Sequence, residues 1–256
     1  MTAEVPARAV PGMRGPDAER RRDGSRSTLV WDVLQEVAAA RIAQAGRAAL
    51  DIVDVGGGTG GFAVPFAALG HHVTVVDPSP DALAAAQRRA AEMQVDLTAV
   101  QGEADGLDGL AGPESADLVI CHNVLEYVDS PPAAMAAIAR VLRPGATVSV
   151  LAANAVSAVL QRALAGRYGE ALRLLDDGGA GAGVPRRFTL AGLTSLIEDA
   201  GLRAGDAHGI RVFAGLLPGA GADPATADAL RALEEAAAVY PPLRDIAARL
   251  HVLGHR

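Results

Sequence analysis

The sequence predicts an α/β fold, a doubly wound and mostly parallel sheet of seven strands under a helical cover. Three observations predict it. Leu50-Asp51-Ile52-Val53-Asp54-Val55 reads as a buried central strand and runs straight into the loop Gly56-Gly57-Gly58-Thr59-Gly60, where glycines let the backbone turn sharply and approach a ligand closely. Further short apolar runs alternate with helical patterns, the order expected of βαβ units. A second strand, His72-Val73-Thr74-Val75-Val76, ends on Asp77, where a carboxylate can grip both hydroxyls of a ribose.

Taken in order, the elements begin with a stretch to about Gly24 that is rich in Pro, Gly, Ala and charge. It lacks apolar periodicity and is expected to be a disordered arm (residues 1–24), leaving 25–256 as one domain. Arg20-Arg21-Arg22 is not read as an export signal, because Asp23, Gly24 and Ser25 follow where an apolar segment would have to begin. A helix from Leu29 to Ala45, carrying Trp31, Leu34, Val37 and Ile42, is placed to cover the ligand cleft. Strands follow at 52–55, 73–76, 97–100, 116–121 and 147–151, with helices at 62–69, 82–93 and 132–141, the last stopped by Arg143-Pro144-Gly145. One long helix is expected over 155–175, then a loop at 178–183 made only of Gly and Ala. Together they suggest a substrate cover at about 155–188, although a mere spacer fits equally well. A helix at 190–200 leads to a sixth strand from Gly201-Leu202, which Gly209-Ile210-Arg211-Val212-Phe213 continues or returns. Arg249 to Leu253 supplies an antiparallel seventh strand.

Composition excludes several classes of function. The chain has 256 residues and a formal charge of −7, which gives no general attraction to nucleic acid, and its aromatic content of 3% leaves few platforms for stacking bases. There is no lysine anywhere, so lysine nucleophiles, Schiff bases and P-loops are closed. Cys121 is the single cysteine, which rules out an internal disulfide and favours a buried packing role. The histidines lack the spacing of a metal site, no apolar run reaches the length of a membrane span, and the expected compartment is the cytoplasm.

Ligands of such sheets lie beyond the carboxyl ends of the strands, which marks 54–60, Asp77, 102–105, 122–126 and Asn154. Gly56-x-Gly58-x-x-Gly61 also satisfies the dinucleotide fingerprint. Asp54 argues against that ligand, because a carboxylate two residues before the first glycine repels a pyrophosphate but pairs with an ammonium. It could also simply cap the loop. Asp54-x-Gly56-x-Gly58-x-Gly60 resembles the pattern of S-adenosylmethionine (SAM) methyltransferases, and SAM is the expected cofactor. Asp105 is placed to accept from the adenine amino group beside Ala104, or to serve as a turn residue. His122 and Asn123 are placed near the methionine end and the substrate, or His122 is a hydrogen-bonded strand-end residue.

A wider set of motifs sharpens the resemblance: Arg26 with Trp31, the glycine loop, Gly70-His71-His72-Val73, the run His122-Asn123-Val124-Leu125-Glu126-Tyr127-Val128, Val141-Leu142-Arg143-Pro144-Gly145, Gly209-Ile210-Arg211-Val212-Phe213 and Arg249-Leu250-His251. From about residue 25 to the end the chain resembles the tRNA 5-carboxymethoxyuridine methyltransferases, within the Rossmann-like class I SAM-dependent superfamily. That family turns the carboxylate of a wobble-uridine modification into a methyl ester. The resemblance implies cofactor contact by Arg26, Gly56, Gly57, Asp77, Ala104, Asp105 and His122; Asp54, Gly58 and Gly60 complete the candidate cofactor set. Two departures are visible: Leu250 stands where the family commonly has an aromatic, and the Gly/Ala loop around Gly181 replaces a lysine-rich segment. Arg162, Arg167, Arg173, Arg186 and Arg187 could still form a phosphate-binding stripe, or a solvated face.

The acceptor chemistry asks for orientation and desolvation, because a carboxylate is already a nucleophile. Arg211 and Arg249 are the candidates to clamp it, since guanidinium pairs with carboxylate bidentately, with His251 assisting or packing. A hydroxyl or amine acceptor would need His122, Glu126 or His251 as a base. Three readings follow: an enzyme acting on tRNA, a SAM enzyme acting on a small acidic or natural-product acceptor, and a non-catalytic SAM-binding partner protein. Neither the oligomeric state nor a lid role for the 178–183 loop follows from the sequence.

Overall fold

The computed structural model describes residues 28–176, 185–216 and 224–256. The expected N-terminal arm, Arg26 and the Gly/Ala loop at 178–183 lie outside the described residues. In chain order the elements are α1 (Thr28–Ala45), β1 (Asp51–Val55), α2 (Ala63–Ala68), β2 (His72–Asp77), α3 (Pro80–Glu92), β3 (Thr98–Gln101), a 3-10 turn (Ala104–Gly106), α4 (Leu107–Ala111), β4 (Ala116–His122), α5 (Pro131–Val141) and β5 (Leu142–Ala153). Then come α6 (Ala155–Leu164), α7 (Tyr168–Asp176), α8 (Leu190–Asp199), β6 (Arg203–Ile210), α9 (Pro224–Val239), α10 (Pro241–Arg244) and β7 (Arg249–His255).

The strands form one seven-stranded sheet in the order β3-β2-β1-β4-β5-β7-β6. β1 to β5 are parallel, while β7 runs antiparallel between β5 and β6. The strand order reverses between β1 and β4, and ligands of open α/β sheets bind at that switch point.

Local chemistry explains where the helices begin. Ser79, Ser130, Asn154 and Thr189 each accept a backbone N–H in the first turn of α3, α5, α6 and α8, and proline occupies the first turn of α3 and α5, where its missing N–H costs nothing. The core lies on both faces of the sheet. Val53, Val55, Val119, Met135, Ile138, Leu193 and Val252 fill one side, and Leu34, Ile52, Phe66, Val75, Leu118, Ile120 and Ile210 fill the other. β4 is buried throughout, so its two polar ends, Asp117 and His122, must find partners inside the protein.

Three expectations need correction. The helix expected over 155–175 is two helices, because Gly166 adopts φ +72° and turns the chain between them. Arg143-Pro144-Gly145 ends α5 as expected but is itself part of the long β5, at a register irregularity against β4. The run 209–213 continues the sixth strand only through Gly209 and Ile210: β6 stops there and Arg211 takes a left-handed φ of +60°.

Candidate active site

The loop after β1 is shaped by what surrounds it. Gly56, Gly58 and Gly60 all have positive φ, and a Cβ at Gly56 would stand 2.4 Å from Val124 of the loop after β4. A Cβ at Gly57 would stand 2.6 Å from the Asp54 carboxylate. Glycine is therefore required both for the turn and for the close approach of its neighbours.

Asp77 sits at the end of β2, 2% exposed. Its Oδ2 accepts the Gly58 N–H at 2.9 Å and its Oδ1 the Ser79 N–H at 2.9 Å. A carboxylate oxygen has two lone pairs, so Asp77 braces the glycine loop and keeps acceptor capacity. Asp54 is 3% exposed and packs under the same loop. Burial, together with the nearby charge of Asp77, raises its pKa to about 7 against the N–H of Ala63, and its Oδ2 has no hydrogen-bond partner. A cationic ligand end over this loop would satisfy that oxygen.

A cleft of about 210 Å³ opens at the carboxyl ends of the strands, lined by Gly56, Asp77, Ala104, Asp105, Asn123 and Tyr127 among others. A larger hollow of about 580 Å³, lined by Asp51, His72, Thr98 and Arg143, lies towards the amino ends of the strands. The strand-end rule favours the smaller one. Of the candidate cofactor residues, Gly56, Asp77, Ala104 and Asp105 line this cleft, whereas Asp54, Gly57, Gly58, Gly60 and His122 do not.

His122 ends β4 at 9% exposed, with Nε2 2.7 Å from Ser149 Oγ and Nδ1 buried without a hydrogen-bond partner. Burial lowers its pKa to about 3, so it is neutral at physiological pH. Its ring meets Phe62 edge-on, with centroids 4.9 Å apart, and Trp31 of α1 packs on Phe62 and Phe66. α1 thus lies over the wall behind the glycine loop.

The candidate acceptor residues separate. Arg249 opens β7 opposite Ala153 at the carboxyl end of β5, donates to Asn123 Oδ1 at 2.5 Å and stands 3.8 Å from Glu126. Glu126 also accepts the Ala153 N–H at 2.8 Å, tying the loop after β4 to the end of β5. Arg211 is exposed and follows Ile210, the register partner of Arg249. Of the two roles open to His251, assisting or packing, the structure favours packing: its ring is completely buried in the sheet, with Nε2 2.7 Å from Ser149 Oγ. Asn154 is structural, donating to the carbonyls of Asp245 and Ala247 and capping α6. Cys121 is fully buried, and burial pushes its thiol pKa far up.

The arginine stripe is largely committed to the protein. Arg162 and Arg167 pair with Glu170, at 3.0 and 3.8 Å, and Arg186 donates to the carbonyls of Val128 and Asp129. Sequence reasoning missed Ser149, His208 and Glu234. A serine in the apolar run Thr147-Val148-Ser149-Val150 was a signal for the first. For Glu234, which accepts the N–H groups of Val212, Phe213 and Ala214 at 2.7–2.9 Å, no local signal exists. Among the described residues no group of three or more His, Cys, Asp or Glu is placed to hold a metal ion, and no helix is long and apolar enough to cross a membrane.

Comparison with known proteins agrees with this geometry. A family profile described as a methyltransferase domain matches residues 53–150, which span the glycine loop, Asp77, the cleft and β4. The tRNA 5-carboxymethoxyuridine methyltransferase of Escherichia coli K12 is 29% identical over 202 residues, covering 73% of this chain and 71% of that protein. The ubiquinone biosynthesis O-methyltransferase of Xanthomonas campestris is 33% identical over 130 residues, 50% of this chain and about half (52%) of its own length. A SAM-dependent methyltransferase of Methanosarcina mazei superposes with a TM-score of 0.58 at 16% identity, over 82% of this chain and 93% of that one. Magnesium protoporphyrin IX methyltransferase of Synechocystis, solved with bound SAH, gives 0.58 at 17% identity over 96% and 90%. These two likenesses show the fold.

Proposed function

We propose that this chain, a SAM-dependent methyltransferase of the class I fold, methylates a carboxylate on a modified tRNA wobble uridine and leaves a methyl ester. The observation that carries the acceptor chemistry is Arg249, held at the carboxyl end of the sheet by Asn123 and Glu126 beside the cleft. The E. coli tRNA relative supports the macromolecular substrate, which also implies a cytoplasmic setting.

Bound SAM supplies the electrophilic methyl group. Asp77 would hold the ribose hydroxyls, Ala104 and Asp105 the adenine, and the Gly56–Gly60 backbone the amino-acid end above Asp54 and His122. Arg26 completes that set as implied by the family resemblance. Arg249 and Arg211 would fix the acceptor carboxylate, because a guanidinium fork pairs both oxygens and orients the attacking lone pair. α6 and α7 would cover the acceptor and exclude water, which strengthens the ion pair.

A second reading, a small acidic acceptor, is favoured by the pairing of Arg162 and Arg167 with Glu170, which offsets part of the positive charge a tRNA backbone would use. Labelled methyl transferred from SAM into total tRNA and released by mild alkali is expected on the first reading. Label confined to the small-molecule fraction would replace it with the second.

A further inference from the structure

Four polar side chains stand in line across one face of the sheet. His122 Nε2 is 2.7 Å from Ser149 Oγ, Ser149 Oγ is 2.7 Å from His251 Nε2, and His251 Nδ1 is 3.3 Å from His208 Nδ1. They come from β4, β5, β7 and β6, which are neighbours in that order. Strand register holds them: Leu151 stands opposite both His122 and His251, and His251 opposite His208. Ser149 and His251 are completely buried, whereas His208 is partly exposed and lies near Asp206, Glu36 and Arg244. The rings of His208 and His251 stack with centroids 5.4 Å apart.

Packing alone does not call for imidazoles on a face that Ile120, Leu151 and Ile210 otherwise fill, because buried polar groups stabilise little beyond what their hydrogen bonds restore. The line also has an unsatisfied inner end. His122 Nδ1 is buried without a hydrogen-bond partner, one residue before Asn123 on the cleft wall.

We propose that His122, Ser149, His251 and His208 form a proton path that takes a proton from the acceptor oxygen at His122 Nδ1 and releases it to solvent at His208. The path rests on the reading of the acceptor as an oxygen acid. An acceptor that enters the cleft as the neutral carboxylic acid is a poor nucleophile, and the path turns it into the carboxylate that Arg249 and Arg211 would hold. A hydroxyl acceptor would use the same route.

The transfer balances. At rest His122 Nε2–H donates to Ser149 Oγ, Ser149 Oγ–H to His251 Nε2, and His251 Nδ1–H to His208 Nδ1, while His208 Nε2–H faces water. As the acceptor O–H bond breaks and His122 Nδ1–H forms, each of these protons moves one place outward and His208 Nε2–H passes its proton to water. Every ring gains one proton and loses one, so no buried imidazolium forms. After product leaves, transfer back to water in the open cleft resets the line. His122 is the catalytic residue of the path, and the other three are positioning residues.

Ser149→Ala cuts the path in its middle and His208→Ala at its solvent end. Both are expected to lower kcat by about 10-fold to 100-fold, up to the lower end of what general acid–base catalysis contributes, with SAM affinity unchanged. Added imidazole is expected to restore turnover to His208→Ala and not to Ser149→Ala. In cofactor-free protein, the ¹⁵N resonances of His122 are expected to shift on replacing His208, and to stay fixed when Ser149 is already alanine. Wild-type turnover in His208→Ala, failure of imidazole to rescue it, or a His122 signal blind to His208 overturns the path. If Ser149→Ala does not fold, His208→Ala and its rescue decide. If the wild-type enzyme methylates no oxygen acid while the resonances remain coupled, the acceptor reading fails and the path through the sheet stands.

Discussion

At the scale of single residues, the site turns on carboxylates with unlike surroundings. Asp77 is braced by two backbone N–H groups, whereas burial raises Asp54 to a pKa of about 7. A carboxyl whose folded pKa lies above its unfolded value holds a proton that the unfolded chain has already released. Its contribution to stability therefore falls as pH rises from about 4 towards 7. Asp54→Asn is expected to flatten that part of the stability–pH curve in thermal melts of the cofactor-free protein. The same variant should weaken SAM binding roughly tenfold or more by calorimetry, the size of a lost charge-assisted hydrogen bond. Arg249→Ala is expected to lower kcat at least about 100-fold while SAM affinity is kept, if Arg249 holds the acceptor as proposed. Equal losses in SAM binding and turnover would move Arg249 to the cofactor.

At the scale of elements, the turn after β6 shows how one run serves two purposes. Arg211 has φ +60°, its carbonyl accepts the N–H groups of Gly215 and Ala248, and the next three N–H groups converge on Glu234 of α9. Backbone and side chain can be separated there. Arg211→Gly suits the left-handed conformation and should leave stability equal or higher, while turnover falls if the guanidinium clamps the acceptor. Unchanged turnover would remove Arg211 from the site. Glu234→Gln should cost about 2 kcal/mol in urea unfolding, because three N–H groups lose a charged acceptor.

At the scale of the whole molecule, the amino end of the sheet is closed by a buried ion cluster. Asp117, completely buried at the start of β4, meets Arg41 of α1, Arg47 and Arg143 and accepts the Asp51 N–H. Burial alone would raise its pKa, yet these partners hold it below the usual carboxylate range. Its stabilisation is full above the unfolded value near 4 and is lost as pH falls through the lower folded value. Asp117→Ala is expected to cost about 3–5 kcal/mol, since it leaves three guanidinium groups without their shared buried partner. A midpoint shift in chemical denaturation reports it. The sheet is therefore pinned by charge at one end and carries the candidate cofactor cleft at the other.

The sequence by itself determined the alternating strands and helices, the glycine loop and Asp77, because strand periodicity, glycines in turns and an acid at a strand end are local requirements, and its resemblance to SAM methyltransferases pointed to the cofactor. It also named Arg211 and Arg249 as a pair, and the pairing of Ile210 with Arg249 puts both at one end of the sheet. Tertiary structure alone decided that His251 is completely buried in the sheet and that His122 connects through Ser149 to His208. Those facts depend on β7 inserting between β5 and β6 and on pairs 27 to 102 residues apart in the chain. A side chain's residue type is written locally, whereas its partner and its distance from water are set by strand order and register.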